Sequence, residues 1–127
     1  MIVVDTQAWV WWVTGHERLS RPARAALDVA EAVGVCSISI MELANTVRRG
    51  RLTLDRELPV WIRQATQRQR VAVLQLSSEV ALRAGALEWG HGDPADRIVV
   101  ATALQTQSPV VTSDRHIREF KGVQSIW

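Results

Sequence analysis

Asp93 and Asp96 stand three residues apart in "GDPADRIVVATA", at the mouth of an almost unbroken apolar run. One aspartate is enough to open a helix there. Asp93 fits the N-cap and Pro94 the first helical position, which leaves Asp96 in the first turn with no capping task. Three more acids occupy similar junctions: Asp5 closes the β-branched run "IVVD", Glu42 follows "VGVCSIS", and Asp114 follows "PVVTS". Taken singly, each reads as a helix cap. Ser39 and Glu42 have the S-x-x-E spacing of a capping box, and Asp5 and Asp114 each precede a helical pattern.

Capping does not explain why four acids would gather. If the strands that precede them run parallel, Asp5, Glu42, Asp96 and Asp114 meet at one edge of the sheet, where open α/β folds bind ligands. Like charges in one site raise each other's pKa and repel unless a cation neutralises them. A donor set made of oxygens suits Mg²⁺ or Mn²⁺ rather than zinc. His16, His91 and His116 share no ligand-like spacing, and Cys36 is the only cysteine. A hard cation held by carboxylates does phosphoryl chemistry, so the reaction class narrows to phosphate or phosphodiester transfer. No G-x-S-x-G nucleophile elbow and no glycine-rich phosphate loop offers another route.

The elements that must position these acids alternate along the chain. "IVVD" reads as a short buried strand, followed by the apolar helix "TQAWVWWV" and a second helix, "RPARAALDVAEAV", with Pro22 near its start and Gly34 just past its end. "VGVCSIS" is the second predicted strand and "MELANTVRRG" the third helix, closed by Gly50. A helix around "LPVWIRQATQR", the strand "VAVLQL", the helix "SSEVALRAGALEW", the helix after Asp93, the strand "PVVTS", a short helix "RHIREF" and a terminal "VQSIW" complete the series. This alternation predicts an α/β fold whose parallel sheet is covered on both faces.

At 127 residues and 47% hydrophobic content, the chain is expected to form a single domain over residues 1–127. The longest uncharged stretch, Ile98 to Ser113, contains Gln, Thr, Ser and Pro, which argues against a membrane span. The apolar start lacks a basic leader and is interrupted by Asp5, so the expected location is cytoplasmic. Cys36 permits no internal disulfide and reads as a buried, inert thiol. Of the 15 basic residues only Lys121 is not arginine, and seven arginines lie between residues 48 and 70, a pattern read as a solvated helical face.

Five segments, "VVDTQAWVWW", "SIMELANTVRRGRL", "HGDPADRIVVATAL", "VVTSDRHI" and the terminal Trp127, resemble in order and spacing the PIN-domain ribonucleases, among them the VapC toxins of bacterial toxin–antitoxin pairs. The resemblance implies a PIN-like three-layer α/β/α sandwich with a mostly parallel central sheet. It implies that Asp5, Glu42, Asp96 and Asp114 hold Mg²⁺ or Mn²⁺ and carry catalysis, with Asp93 an extra acid at the rim. Thr112 matches a hydroxyl common in the family, and Thr6 and Ser39 are candidates for the same supporting role. Arg97 and Arg115, each next to a site acid, are candidates for holding phosphates. The implied function is an endoribonuclease toxin that hydrolyses RNA phosphodiester bonds with metal-activated water. The implied partners are the RNA substrate, a VapB-like antitoxin and a second copy of the chain in a homodimer. The alternative is a PIN fold that binds protein or RNA without catalysis, its acids serving as caps.

Overall fold

The fold is a computed structural model that describes residues 1–127. Its elements follow in the order β1 (Ile2–Val4), α1 (Thr6–Thr14), α2 (Arg21–Val29), β2 (Val33–Cys36), α3 (Ser37–Arg48), α4 (Leu58–Thr66), β3 (Val71–Leu74), α5 (Ser78–Ala86), α6 (Pro94–Thr106), β4 (Val110–Val111), α7 (Arg115–Glu119) and β5 (Ser125–Ile126). The five strands form one sheet in the order β3-β2-β1-β4-β5. Every pairing is parallel. The expected parallel sheet is therefore present, and it is parallel throughout.

The period of two along the strands sorts the side chains into two layers. Val4, Val33, Val35 and Val111 pack with Ala8 and Trp9 of α1, Ala23 and Leu27 of α2, Leu43 of α3 and Trp61 of α4. Their neighbours Val3, Cys36 and Val110 pack with Val99, Val100 and Ala103 of α6 and Ile117 of α7. Helix α5 lies outside α6 through Val80, Ala84 and Ala101. Helices thus cover both faces of the sheet, giving the three layers that the resemblance implied. Cys36 is buried among apolar residues, as its surroundings in sequence implied.

Three local expectations need correction. Gly34 does not close α2, whose C-cap is Ala30; it lies inside β2. A Cβ there would stand 2.5 Å from the Leu74 side chain, so the small residue leaves room for that side chain to lie across β2. Residues 37 to 39 do not extend β2: helix α3 begins at Ser37, with Cys36 as a cap that makes no side-chain bond. Ser39 therefore lies within the helix and forms no capping box with Glu42, and its buried hydroxyl has no partner. The seven arginines do not form one helical face either. They are spread over the end of α3, the loop after it, α4 and the approach to β3, and all are exposed.

Trp9 is fully buried at the centre of the first layer and meets Trp61 edge to face, with ring centroids 5.4 Å apart. Trp11 and Trp12 are half-buried. This arrangement predicts that Trp9→Ala lowers unfolding free energy by about 3–5 kcal/mol in urea denaturation. A loss under about 1 kcal/mol would contradict a core centred on that ring.

Candidate active site

The sheet order reverses direction of growth at β1: the chain passes to β2 on one side and later returns to β4 on the other. The loops leaving β1 and β4 diverge to opposite faces, which opens a crevice at the carboxyl ends of these strands. A groove of about 400 Å³ lies there, and Asp5, Glu42, Asp96 and Asp114 all line it, with Thr6, Thr46 and Arg18 among their neighbours. The four acids expected to meet do share one groove.

Each acid is oriented by the element it belongs to. Asp5 follows directly on β1, and its Oδ1 caps α1 by accepting from the Ala8 N–H at 2.8 Å. Its Oδ2 accepts from the Thr112 hydroxyl, one residue beyond β4. Thr112 in turn accepts from the Asp114 N–H at 2.9 Å, and Asp114 Oδ1 caps α7 through the Ile117 N–H at 3.0 Å. Glu42 projects from the second turn of α3 and accepts from the Thr6 hydroxyl. Asp93 caps α6 through the Asp96 N–H at 2.9 Å, which frees the Asp96 carboxylate to meet His91 Nε2 at 2.7 Å. Three acids are therefore caps, as their plain reading held, while Asp96 and Glu42 are not.

Burial acts on these carboxyls in one direction. Asp5 is only 8% exposed, and its pKa is pushed up to about 6, by desolvation first and then by Asp96 and Asp114; the bonds from Thr112 and Ala8 oppose the rise. Burial also raises Glu42, helped by Asp93 and Asp96 and opposed by Thr6. It raises Asp96 too, helped by Asp93 and Asp114 and opposed by His91. The ion pairs of Asp96 and Asp114 are with histidines, His91 and His116, and no lysine or arginine pairs with any of the four. Carboxylates are thus crowded into the groove with no lysine or arginine paired to them. No three of the protein's His, Cys, Asp or Glu side chains converge into a preformed metal cage. The acids line the groove separately, so a cation would have to draw them together.

Of the two arginines expected to hold phosphates, Arg97 is committed elsewhere. The Arg97 guanidinium turns back from the groove and donates to the carbonyls of Ala84, Gly85, Leu87, Trp89 and His91 at 2.7–3.4 Å. It fastens the connection between α5 and α6 and so sets the height of His91 over Asp96. Arg115 is exposed and pairs with Glu119 one turn along α7, at 2.8 Å. Ser39 is fully buried and does not line the groove. Arg18 does line it, from the loop between α1 and α2. Sequence reading missed Arg18 because no periodicity marks the turn "TGHERLS". Gly15, at φ 67°, caps α1 there and reverses the chain.

The raised Asp5 pKa has a consequence for metal-free protein. The folded state binds the Asp5 proton more tightly than the unfolded chain, whose value is near 3.8. This contribution to stability is complete below that value and is lost as pH rises through about 6. The loss is at most about 3 kcal/mol. In the presence of a chelator, melting temperature should therefore fall between pH 5 and pH 7.5 by more in the wild type than in Asp5→Asn. Equal pH slopes in thermal denaturation would contradict the desolvated carboxyl.

The PIN domain family matches residues 2–123. Ribonuclease VapC22 of Mycobacterium tuberculosis is 32% identical over 121 residues, covering 94% of this chain and 92% of that protein. VapBC2 from Rickettsia felis, solved bound to a DNA fragment from its promoter, superposes with a TM-score of 0.72 at 15% identity, covering 98% of this chain and 97% of the other. FitAcB from Neisseria gonorrhoeae gives 0.68 at 21% identity, with 98% and 96% covered. Matched over almost its whole length, with the acid-lined groove where the sheet order reverses, the chain belongs to the PIN-domain family, among the VapC ribonucleases.

Proposed function

We propose that this protein is an endoribonuclease toxin that hydrolyses RNA phosphodiester bonds, with Asp5, Glu42, Asp96 and Asp114 holding Mg²⁺ or Mn²⁺. The observation that carries this reading is four carboxylates lining one groove with no lysine or arginine paired to them. Their donor set is all oxygen, which fits a hard divalent ion. When bound, such an ion supplies the charge neutralisation and activation of water that phosphodiester hydrolysis requires.

The chain's own residues then divide the work. Thr112 holds Asp5 and Thr6 holds Glu42, each leaving carboxylate lone pairs directed to the groove. His91 keeps Asp96 in place and Asp93 starts the helix that carries it. At Asp114 the cap engages Oδ1 and spares Oδ2, whereas at Asp5 both oxygens already accept one bond, Oδ1 from Ala8 and Oδ2 from Thr112, and each keeps a second lone pair for ligation. Arg18 is the cation placed to meet a substrate phosphate in the groove.

Gln7, Val10, Trp11 and Leu52 line both this groove and an adjoining hollow of about 580 Å³. That continuous, partly apolar surface is the proposed seat for a VapB-like antitoxin, and the active form is proposed to be a homodimer. The antitoxin proposal draws support from the solved toxin–antitoxin complexes of the same fold. No helix of the chain is long and apolar enough to cross a membrane.

With Mn²⁺ supplied, Asp96→Asn should lower RNA cleavage by at least about a hundred-fold while leaving the circular dichroism spectrum unchanged. Retained cleavage in that variant, freed of contaminating nuclease, would overturn the assignment. Arg18→Ala should raise KM for RNA by roughly ten-fold with little change in kcat. Arg97→Ala should instead lower unfolding free energy by about 2–3 kcal/mol, because five carbonyls lose their donor. If Arg97→Ala keeps full stability and only weakens RNA binding, the two roles are exchanged.

A further inference from the structure

Beside the acidic groove, four rings form a ladder. Phe120 meets Trp89 with centroids 5.0 Å apart, Trp89 meets His91 at 4.9 Å, and His91 meets His116 at 4.1 Å with the two planes only 10° apart. The inner rings have a packing role: Phe120 and Trp89 lie against the core layer that contains Val99 and Ile117. That role does not extend to the outer end, where the His116 side chain is 60% exposed. Its ring lies flat on His91 and presents its other face outward.

The ladder is tied to the acids. His91 Nε2 is 2.7 Å from Asp96, and His116 Nδ1 is 3.8 Å from Asp114. One proposed metal-holding carboxylate, Asp96, thus orients the His91 ring through a hydrogen bond, and a second, Asp114, lies near the His116 ring. The rings also border a second hollow of about 660 Å³, which shares no lining residue with the acidic groove. Gly90 and Gly92 in its wall leave open space where side chains would project. Its lining charges are mixed, Glu88 and Glu119 with Lys121, so it lacks the concentration of cations that a phosphate site needs. A flat, exposed ring over a hollow of mixed charge suits a neutral planar group.

We propose that His116, backed by His91, Trp89 and Phe120, is a stacking platform for a nucleobase of single-stranded RNA adjacent to the scissile phosphate. The proposal rests on the reading of the acidic groove as the site of RNA hydrolysis, and it adds how the substrate is held. A base on His116 places its own phosphodiester near Asp114 and Asp96, because His116 lies 3.8 Å from Asp114 and stacks on His91, which is bonded to Asp96. Recognition through a ring face tolerates many bases, so the platform orients the strand and leaves sequence choice to other contacts.

The test is RNA binding in the presence of a chelator, which separates it from cleavage. A fluorescein-labelled single-stranded RNA of about 12 nucleotides is titrated with the full-length protein by anisotropy, beside a base-free ribose-phosphate strand of the same length. His116→Ala should weaken binding of the RNA about ten-fold, His116→Phe should restore it, and neither should alter binding of the base-free strand. Thermal denaturation in the same buffer checks that the variants are folded, which the exposure of His116 favours. Unchanged affinity in His116→Ala overturns the platform, as does an equal loss for both strands, which would assign the residue to the phosphates. A platform that fails while Asp96→Asn still abolishes cleavage leaves the nuclease intact. A platform that holds in a protein without metal-dependent cleavage removes the nuclease reading and keeps the binding site.

Discussion

Two parallel strands end side by side, and the hydrogen bond from Thr112 to Asp5 joins their ends. Much of the proposed chemistry depends on that junction. It buries a carboxylate at the floor of the groove, where desolvation raises its affinity for a proton and equally its demand for a cation. The cost of placing Asp5 there is partly offset by the bonds from Thr112 and the Ala8 amide, both of which favour the charged form. Asp114 and Asp96 then approach from two other elements and add to the same unfavourable field, while Glu42 lines the groove from α3. This crowding of partly desolvated carboxylates is what the proposed divalent ion would neutralise.

The sheet makes this crowding possible. Because β1 sits between β2 and β4, the helices that follow the two central strands leave to opposite layers, and the crevice between them receives α1, α3, α6 and the start of α7. Short caps hold the loops tight: Asp5 opens α1 directly, Asp93 opens α6, and Asp114 opens α7. The Arg97 guanidinium gathers the connection before α6 and keeps His91 on Asp96. Stability and function therefore share residues at this edge, which makes substitutions there informative only when fold and activity are both measured.

The acids were legible in sequence because each falls at a junction that strand and helix patterns mark clearly. "IVVD" and "PVVTSD" announce strand ends, and "GDPAD" separates a cap from a spare carboxylate. What was not legible concerns side chains whose direction depends on tertiary contacts. Arg97 adjoins Asp96 in sequence yet points away, since one residue along a helix turns the side chain by about 100°. Ser39 has the right spacing from Glu42 for a capping box, but the helix begins inside the strand-like run "CSIS", with its N-cap at Cys36, three residues before Ser39. Arg18 reaches the groove through a reversal at Gly15, and the stacked pair His91 and His116 brings together residues 25 positions apart from different elements. No local pattern encodes such meetings.

The most direct test of the central claim is a Mn²⁺ titration near pH 6, with free ion followed by electron paramagnetic resonance and heat followed by calorimetry in two buffers of different ionisation enthalpy. The account predicts saturable binding accompanied by proton release, because a carboxyl with a pKa of about 6 must ionise to take the metal, and it predicts that Asp5→Asn loses the proton release and most of the affinity. No saturable binding, or binding to the wild type that releases no protons and persists unchanged in Asp5→Asn, would contradict it.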